Sequence, residues 1–245
     1  MAGRRFELTV SGFGVSAMLS EASERALEGL IDHLFARQAA NSERLIAFLA
    51  GPPGAGKSTL SLMMEELAAS RASGLLQALP MDGFHYPARY IASHTVVRDG
   101  EILPMARVKG SPETFDAAAL AGAVRALKAG IERWPVYDRR MHDVVDGAIL
   151  VTGEILLVEG NWLLLDEPRY SCLRDVCDYA IALWADEAVL QDRLIRRKMQ
   201  GGANEADARA HYECCDGPNI RRYLEYSAWG DINFQVTGDG AYAEM

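Results

Sequence analysis

No stretch of this sequence approaches the ~18 uninterrupted apolar residues that a membrane-crossing helix requires. Its amino terminus, MAGRRFELTV, lacks the apolar core of a secretion signal. The expected setting is therefore cytoplasmic, with no membrane partner. Positive charge is also short. The 25 Lys and Arg residues against 34 Asp and Glu leave a formal charge of −9, and a chain repelled overall by a phosphate backbone is not expected to bind nucleic acid. Cysteine is sparse. Cys172, Cys177, Cys214 and Cys215 show no CxxC spacing and no histidine placed to complete a zinc site, so they read as reduced, partly buried thiols. No internal repeat, low-complexity tract or Pro/Ser-rich linker marks a second domain.

What remains is the composition of one sizeable α/β domain, 49% hydrophobic and 24% charged over 245 residues. Apolar runs too short for helices end at Gly51, Met81, Gly160, Ala185 and Gly238, and read as buried parallel strands. Helical periodicity fills the intervals, as in SLMMEELAAS, FDAAALAGAVRALKAG, AVLQDRLIRRKM and EADARAHYEC. The alternation predicts a three-layer α/β/α fold around a mainly parallel five-stranded sheet. An amino-terminal extension, 1–43, carries one amphipathic helix over 21–39, ahead of a core over 44–240. Residues 86–110 fit neither period and read as a functional loop, lid or insertion. Asp216-Gly217-Pro218-Asn219 reads as a turn before a last helix.

Gly51-Pro52-Pro53-Gly54-Ala55-Gly56-Lys57-Ser58 matches GxxxxGK[ST] between a strand and a helix. Its glycines turn successive N–H groups inward as an anion nest at a helix amino end, formed by Gly51, Pro52, Gly54, Ala55, Gly56, Lys57, Ser58 and Thr59. Lys57 is placed to reach the β- and γ-phosphates of ATP, and the Ser58 hydroxyl to face Mg2+. The other strand ends choose the reaction, because ligands of such sheets bind beyond the carboxyl ends of the strands. There the chain carries Asp82 and His85 in Met81-Asp82-Gly83-Phe84-His85, and Glu159 in Val158-Glu159-Gly160-Asn161. Two acids beside a metal-bound phosphate can divide two tasks, holding the metal and accepting the proton of an attacking hydroxyl.

These residues resemble the P-loop kinases that include uridine kinase, phosphoribulokinase and bacterial pantothenate kinase. MDGFH is similar to that family's base and substrate motif, Ser111-Pro112-Glu113-Thr114-Phe115-Asp116 to its proline and phenylalanine-aspartate step, and Pro135-Val136-Tyr137-Asp138 to its substrate-side loop. LLVEGNWLLL resembles the strand and turn bearing its acidic metal residue. Together with Arg107-Val108-Lys109-Gly110 and Tyr137-Asp138-Arg139-Arg140, the pattern looks most like the bacterial nucleoside/nucleotide kinase-like, or fructose-transport-system kinase-like, branch.

The resemblance implies an ATP- and Mg2+-dependent phosphotransferase acting on a hydroxyl of a small metabolite: a sugar, a nucleoside or a pantothenate-like alcohol. It assigns Asp82 as base and Glu159 as the metal-side carboxylate, with the exchange of those roles left open. His85, Lys109, Tyr137, Asp138, Arg139 and Arg140 would line the acceptor pocket, within a substrate-side region over about 86–146. Arg193, Arg196 and Arg197, spaced three and four apart on one helix face, would form an arginine lid over about 190–215, with Arg193 and Arg197 serving transfer. The adenine would be held by backbone near Thr237 and Gly238. Relatives form dimers or tetramers, so a homodimer is compatible with the resemblance, although no self-complementary stripe specifies one. A regulatory GTPase is disfavoured because the sequence has neither an NKxD segment nor a DxxG step. The rival is a nucleotide-binding module without catalysis, acting through protein contacts.

Overall fold

Strand alternation assigns each side chain of the central strands to one of two cores. In a computed structural model of the chain, which describes residues 3–10, 12–98 and 100–245, the strand Leu45–Ala50 is buried at every position. Leu45, Ala47 and Leu49 enter one apolar cluster, and Ile46, Phe48 and Ala50 the other. That two-sided burial is why the run reads as continuously apolar, and it makes a three-layer fold.

In chain order the elements are β1 (Arg4–Val10), β2 (Phe13–Leu19), α1 (Glu21–Ala39), β3 (Leu45–Ala50), α2 (Lys57–Ala69), β4 (Leu76–Pro80), α3 (Ala88–Ser93), β5 (Thr95–Arg98), β6 (Glu101–Pro104), α4 (Ala117–Lys128), β7 (Arg133–Asp138) and β8 (Asp143–Leu150). There follow β9 (Ile155–Gly160), β10 (Tyr179–Trp184), α5 (Glu187–Gln200), α6 (Glu205–His211), α7 (Gly217–Tyr226), β11 (Ile232–Val236) and β12 (Tyr242–Glu244). The main sheet has the order β12-β11-β10-β3-β9-β4. Its five expected strands are parallel, and β12 adds a sixth, antiparallel edge that the sequence reading did not include. Three residues carry too little periodicity to register as a strand. The edge is secured by Ser23 of α1, whose hydroxyl donates to the Tyr242 carbonyl at 3.2 Å and accepts the Tyr242 N–H at 2.9 Å.

Helices α1, α2 and α5 cover one face of the sheet, and α4 with the segment around Trp162 and Tyr170 covers the other. The amino-terminal extension holds more than its helix. β1 and β2 form a hairpin in which Val10 pairs with Phe13, and Gly12 takes φ +84°. Phe6 and Leu19 anchor it in the main core. The irregular stretch after Tyr86 resolves into α3 and the hairpin β5–β6, around a small core of Ile91, Val96, Met105 and Val108. A third hairpin, β7–β8, packs against the turn that follows β4.

The turn expected at Asp216–Asn219 is instead a π-turn over Tyr212–Asp216, which joins α6 to α7 without a break. The Gly217 N–H reaches back to the Tyr212 carbonyl. Pro218, without an N–H and with its ring crowding the preceding turn, gives a physical reason for the widening there. Among the described residues no helix is long and apolar enough to cross a membrane.

Candidate active site

Parallel register brings three strand ends level. Ala50 pairs with Gly160, and Glu159 with Pro80, so the loops after β3, β9 and β4 leave the sheet side by side. The first is the glycine loop. Gly54 and Gly56 adopt φ of +83° and +89°, a region that L side chains avoid. With Gly56 at its cap, α2 starts at Lys57 without a capping side chain. The amides of its first turn are thus left for a ligand.

Lys57 is buried, and its ammonium donates to the Pro52 carbonyl at 3.0 Å and to Asn161 Oδ1. Burial lowers its pKa to about 8, against the opposing pull of Glu159 and Asp82 and with a further lowering from Arg197. The Ser58 hydroxyl donates to Glu159 Oε1 at 2.8 Å. Burial also raises the Glu159 carboxyl, with Lys57 opposing and Asp82 reinforcing the shift. A hydroxyl and a carboxylate as hard oxygen donors beside an amide-rich cradle are the donor set that a magnesium-bound triphosphate uses. The residues present therefore fit ATP and Mg2+.

Asp82 stands on a 3₁₀ turn, Met81–Phe84, after β4. Gly83 lets that turn press on β7, since a Cβ there would lie 2.3 Å from the Pro135 carbonyl oxygen. Trp134 Nε1 donates to the Pro80 carbonyl at 2.8 Å and fixes the same junction. Asp82 faces Arg139 across 4.0 Å. Ser58, Asp82, Tyr137, Arg139 and Glu159 line one cavity of about 270 Å³. Its far wall is built by Thr9 and Val10 at the tip of the β1–β2 hairpin. Sequence reasoning missed these two residues because the extension lies outside the family pattern. It also gave Asn161 no role, although the polar residue following Glu159-Gly160 was in plain sight.

The other expected pocket residues are arranged differently. His85 stacks on Phe115 and Tyr137, with ring centroids 3.8 and 5.1 Å away. Its Nδ1 lies 2.9 Å from the Asp82 carbonyl, which can only accept, so that nitrogen carries the proton. Burial lowers its pKa. Lys109 donates to the Tyr137 hydroxyl and lies 4.6 Å from the centre of that ring. Asp138 Oδ1 accepts the N–H groups of Arg140 and Met141, at 2.7 and 3.0 Å. It caps the β7–β8 turn, at which Arg140 is exposed.

On α5 the three arginines diverge. Arg193 donates to the Thr237 carbonyl at 2.8 Å, occupying one backbone group proposed for adenine. Arg196 pairs with Asp192 at 3.0 Å on the exposed side. Arg197 lies at the surface of the cleft, within the electrostatic reach of Asp82, Arg139 and Asp216. The SPETFD motif turns out to be framework. Asp116 caps α4 by accepting the Ala119 N–H at 2.8 Å, and Glu113 holds Arg222 at 2.6 Å. A larger groove of about 1110 Å³ between β5–β6 and α7 contains none of the glycine-loop residues, and of the four arginines lining it Arg221 is held by Glu187 and Arg222 by Glu113 and Glu167. The smaller cavity is where the chemistry converges.

No family model matches the chain. It is 39% identical over 241 residues to the uncharacterised Escherichia coli protein YggC, covering 97% of this chain and 98% of that one. It is 31% identical over 176 residues to a candidate uridine kinase of Schizosaccharomyces pombe, covering 69% of this chain and 73% of that protein. The chain belongs to the P-loop kinase family. The crystal structure of a candidate fructose transport system kinase from Silicibacter shares the fold with a TM-score of 0.74 and 30% identity, over 84% of this chain and 98% of that one. The cavity lined by Ser58, Asp82 and Glu159 adjoins the start of α2 at the end of the glycine loop.

Proposed function

We propose that the protein transfers the γ-phosphate of ATP to a hydroxyl of a small metabolite held in the cavity between Asp82 and the β1–β2 tip. The observation that carries this is the convergence of Lys57, Ser58, Asp82 and Glu159 from three strand ends onto one cavity. In this reading the α2 amides and Lys57 grip the polyphosphate. Ser58 and Glu159 would hold Mg2+, which when bound would supply positive charge to neutralise the phosphate oxygens. Asp82 accepts the proton of the acceptor hydroxyl, and Arg139, 4.0 Å away, orients its carboxylate. Arg197 offers a guanidinium to charge building on the transferring group. His85 orients rather than touches: its imidazole backs Tyr137, whose hydroxyl is steadied by Lys109.

At about 270 Å³ the cavity falls below the ~300 Å³ at which drug-sized ligand pockets begin. It suits a sugar-sized polyol better than a nucleoside. Tyr137 and Arg139 would bind its remaining oxygens, and Thr9 and Val10 would close it from water.

The test is a coupled measurement of ADP release with ATP and Mg2+ against a panel of sugars, sugar acids, nucleosides and pantothenate-like alcohols. Acceptor-dependent release is expected, falling ~10²–10⁴-fold in Asp82→Asn while nucleotide affinity is kept. ATP binding with no turnover on any acceptor would point to a non-catalytic module, and undiminished turnover in Asp82→Asn would remove the base.

A further inference from the structure

Where α6 runs into α7, one helical face gathers three soft donors that the phosphotransfer site does not use. His211, Cys214 and Cys215 follow the i, i+3, i+4 spacing that puts side chains on one side of a helix. The structure brings a ligand atom of each within 4.8 Å of the other two. The sequence reading found no histidine placed for these cysteines because it sought separated pairs rather than a single turn. Consecutive side chains on a regular α-helix diverge by ~100°, yet on the π-turn Tyr212–Asp216 the two sulfurs approach to 3.1 Å.

We propose that His211, Cys214 and Cys215 bind one thiophilic divalent cation of the zinc class, with its fourth position open to solvent. Bonds of ~2.0–2.3 Å in a tetrahedral centre set ligand separations of ~3.3–3.8 Å. The sulfurs at 3.1 Å have to part slightly, and the remaining separations, all within 4.8 Å, to close to that range. Cys214 is exposed and Cys215 partly so, which leaves a path for entry and room for a water. The charge balances: each thiol gives up one proton, and the two thiolates neutralise the dication while the imidazole supplies a lone pair. A cation that takes up thiolates displaces the protons of the thiols, so its binding releases protons. Asp216 Oδ2 stands 3.8 Å from His211 Nε2, so a small movement would bring the carboxylate to the free ring nitrogen of an imidazole ligating through Nδ1.

Two competing fates are disfavoured. Adjacent Cα atoms across a trans peptide lie ~3.8 Å apart, short of the ~4.4 Å at which disulfide geometry begins. Mg2+ prefers the oxygen donors at Ser58 and Glu159. The position gives the cation leverage on the cleft. Cys215 Sγ lies 3.9 Å from the Arg107 carbonyl of the substrate-side insertion, and Asp216 lies in the field of Arg197. An occupied site would take the proton that Cys215 donates to that carbonyl, so metal uptake would release this contact between the α6–α7 junction and the insertion. None of this depends on the phosphotransfer reading.

The probe is Co2+, titrated into the reduced full-length protein without nucleotide or Mg2+, with absorption as the readout. A thiolate-to-cobalt band in the near ultraviolet, with visible bands of a tetrahedral centre, should saturate at one equivalent and be bleached by Zn2+. His211→Gln should weaken Co2+ binding ~10-fold or more. The double change Cys214→Ser and Cys215→Ser should abolish the thiolate band, and circular dichroism of the metal-free protein reports its fold. Should that pair fail to fold, Cys214→Ser alone, altering an exposed side chain, should cut the band by about half. Absence of a thiolate band at a large excess of Co2+ overturns the proposal. So does a band untouched by the cysteine changes, which would then arise from Cys172 or Cys177.

Discussion

Burial is the largest influence on Lys57, the side chain proposed to grip the polyphosphate. Removed from water, it loses its proton more easily, at about pH 8 rather than 10.5. A polyphosphate binds the protonated ammonium, so bound nucleotide must raise that pKa again. The sign follows: below pH 8 the free protein already carries the charge, and above it nucleotide binding has to take up a proton. ATP affinity is therefore expected to fall as pH rises through 8. Calorimetry in buffers of different ionisation enthalpy should show proton uptake near that pH; an affinity flat across pH 7 to 10, with no proton uptake, would contradict the burial of this ammonium. At the same scale, the string Tyr137-Asp138-Arg139-Arg140 shows what sequence alone could not separate. All four are polar and near the cleft, but Tyr137 near the end of β7 and Arg139 in the turn beyond it line the cavity, while Asp138 between them caps the turn. A list of residue types does not reveal the register that decides between them.

At the scale of elements, the loop from Gly51 to Ser58 and the strands that frame it were legible because each is a contiguous signal. The hairpins were not. In β1–β2 the alternation of Phe6, Leu8 and Val10 with Val15, Ala17 and Leu19 was present in the sequence, but its purpose, closing the cavity at Thr9 and Val10, depends on packing against α2 from a distance. The junction between β4 and β7 carries a sharper test. Gly83 touches the Pro135 carbonyl so closely that any Cβ must displace the turn bearing Asp82. Gly83→Ala is expected to cost about 1–3 kcal/mol, as overpacking does, and to shift Asp82 from the cavity. Urea unfolding checks the first effect and ADP release the second. Unchanged stability would mean that the turn yields freely and that the glycine has no positioning role.

For the whole molecule, the same burial that prepares the site works against the fold. The glycine loop encloses an ammonium that is fully stabilised only when phosphate arrives, and Glu159 is held where burial disfavours its charge. In the proposed function folded stability and nucleotide binding are coupled through Lys57. With Mg2+ and ATP at 100 times the dissociation constant, linkage adds about 2.7 kcal/mol. At ~2–4 °C per kcal/mol for a chain of this size, Tm should rise by roughly 5–10 °C. Lys57→Met should abolish that rise. Without ligand it should melt no lower than the unaltered protein, because replacing a buried ammonium by an apolar chain of similar length removes a desolvation penalty while leaving Pro52 and Asn161 to rearrange toward water. Differential scanning calorimetry of the two proteins, with and without nucleotide, separates the outcomes. If Lys57→Met lost several degrees in the absence of ATP, the lysine would be holding the loop together through Pro52 and Asn161, and its burial would be a structural device before it was a ligand-binding one.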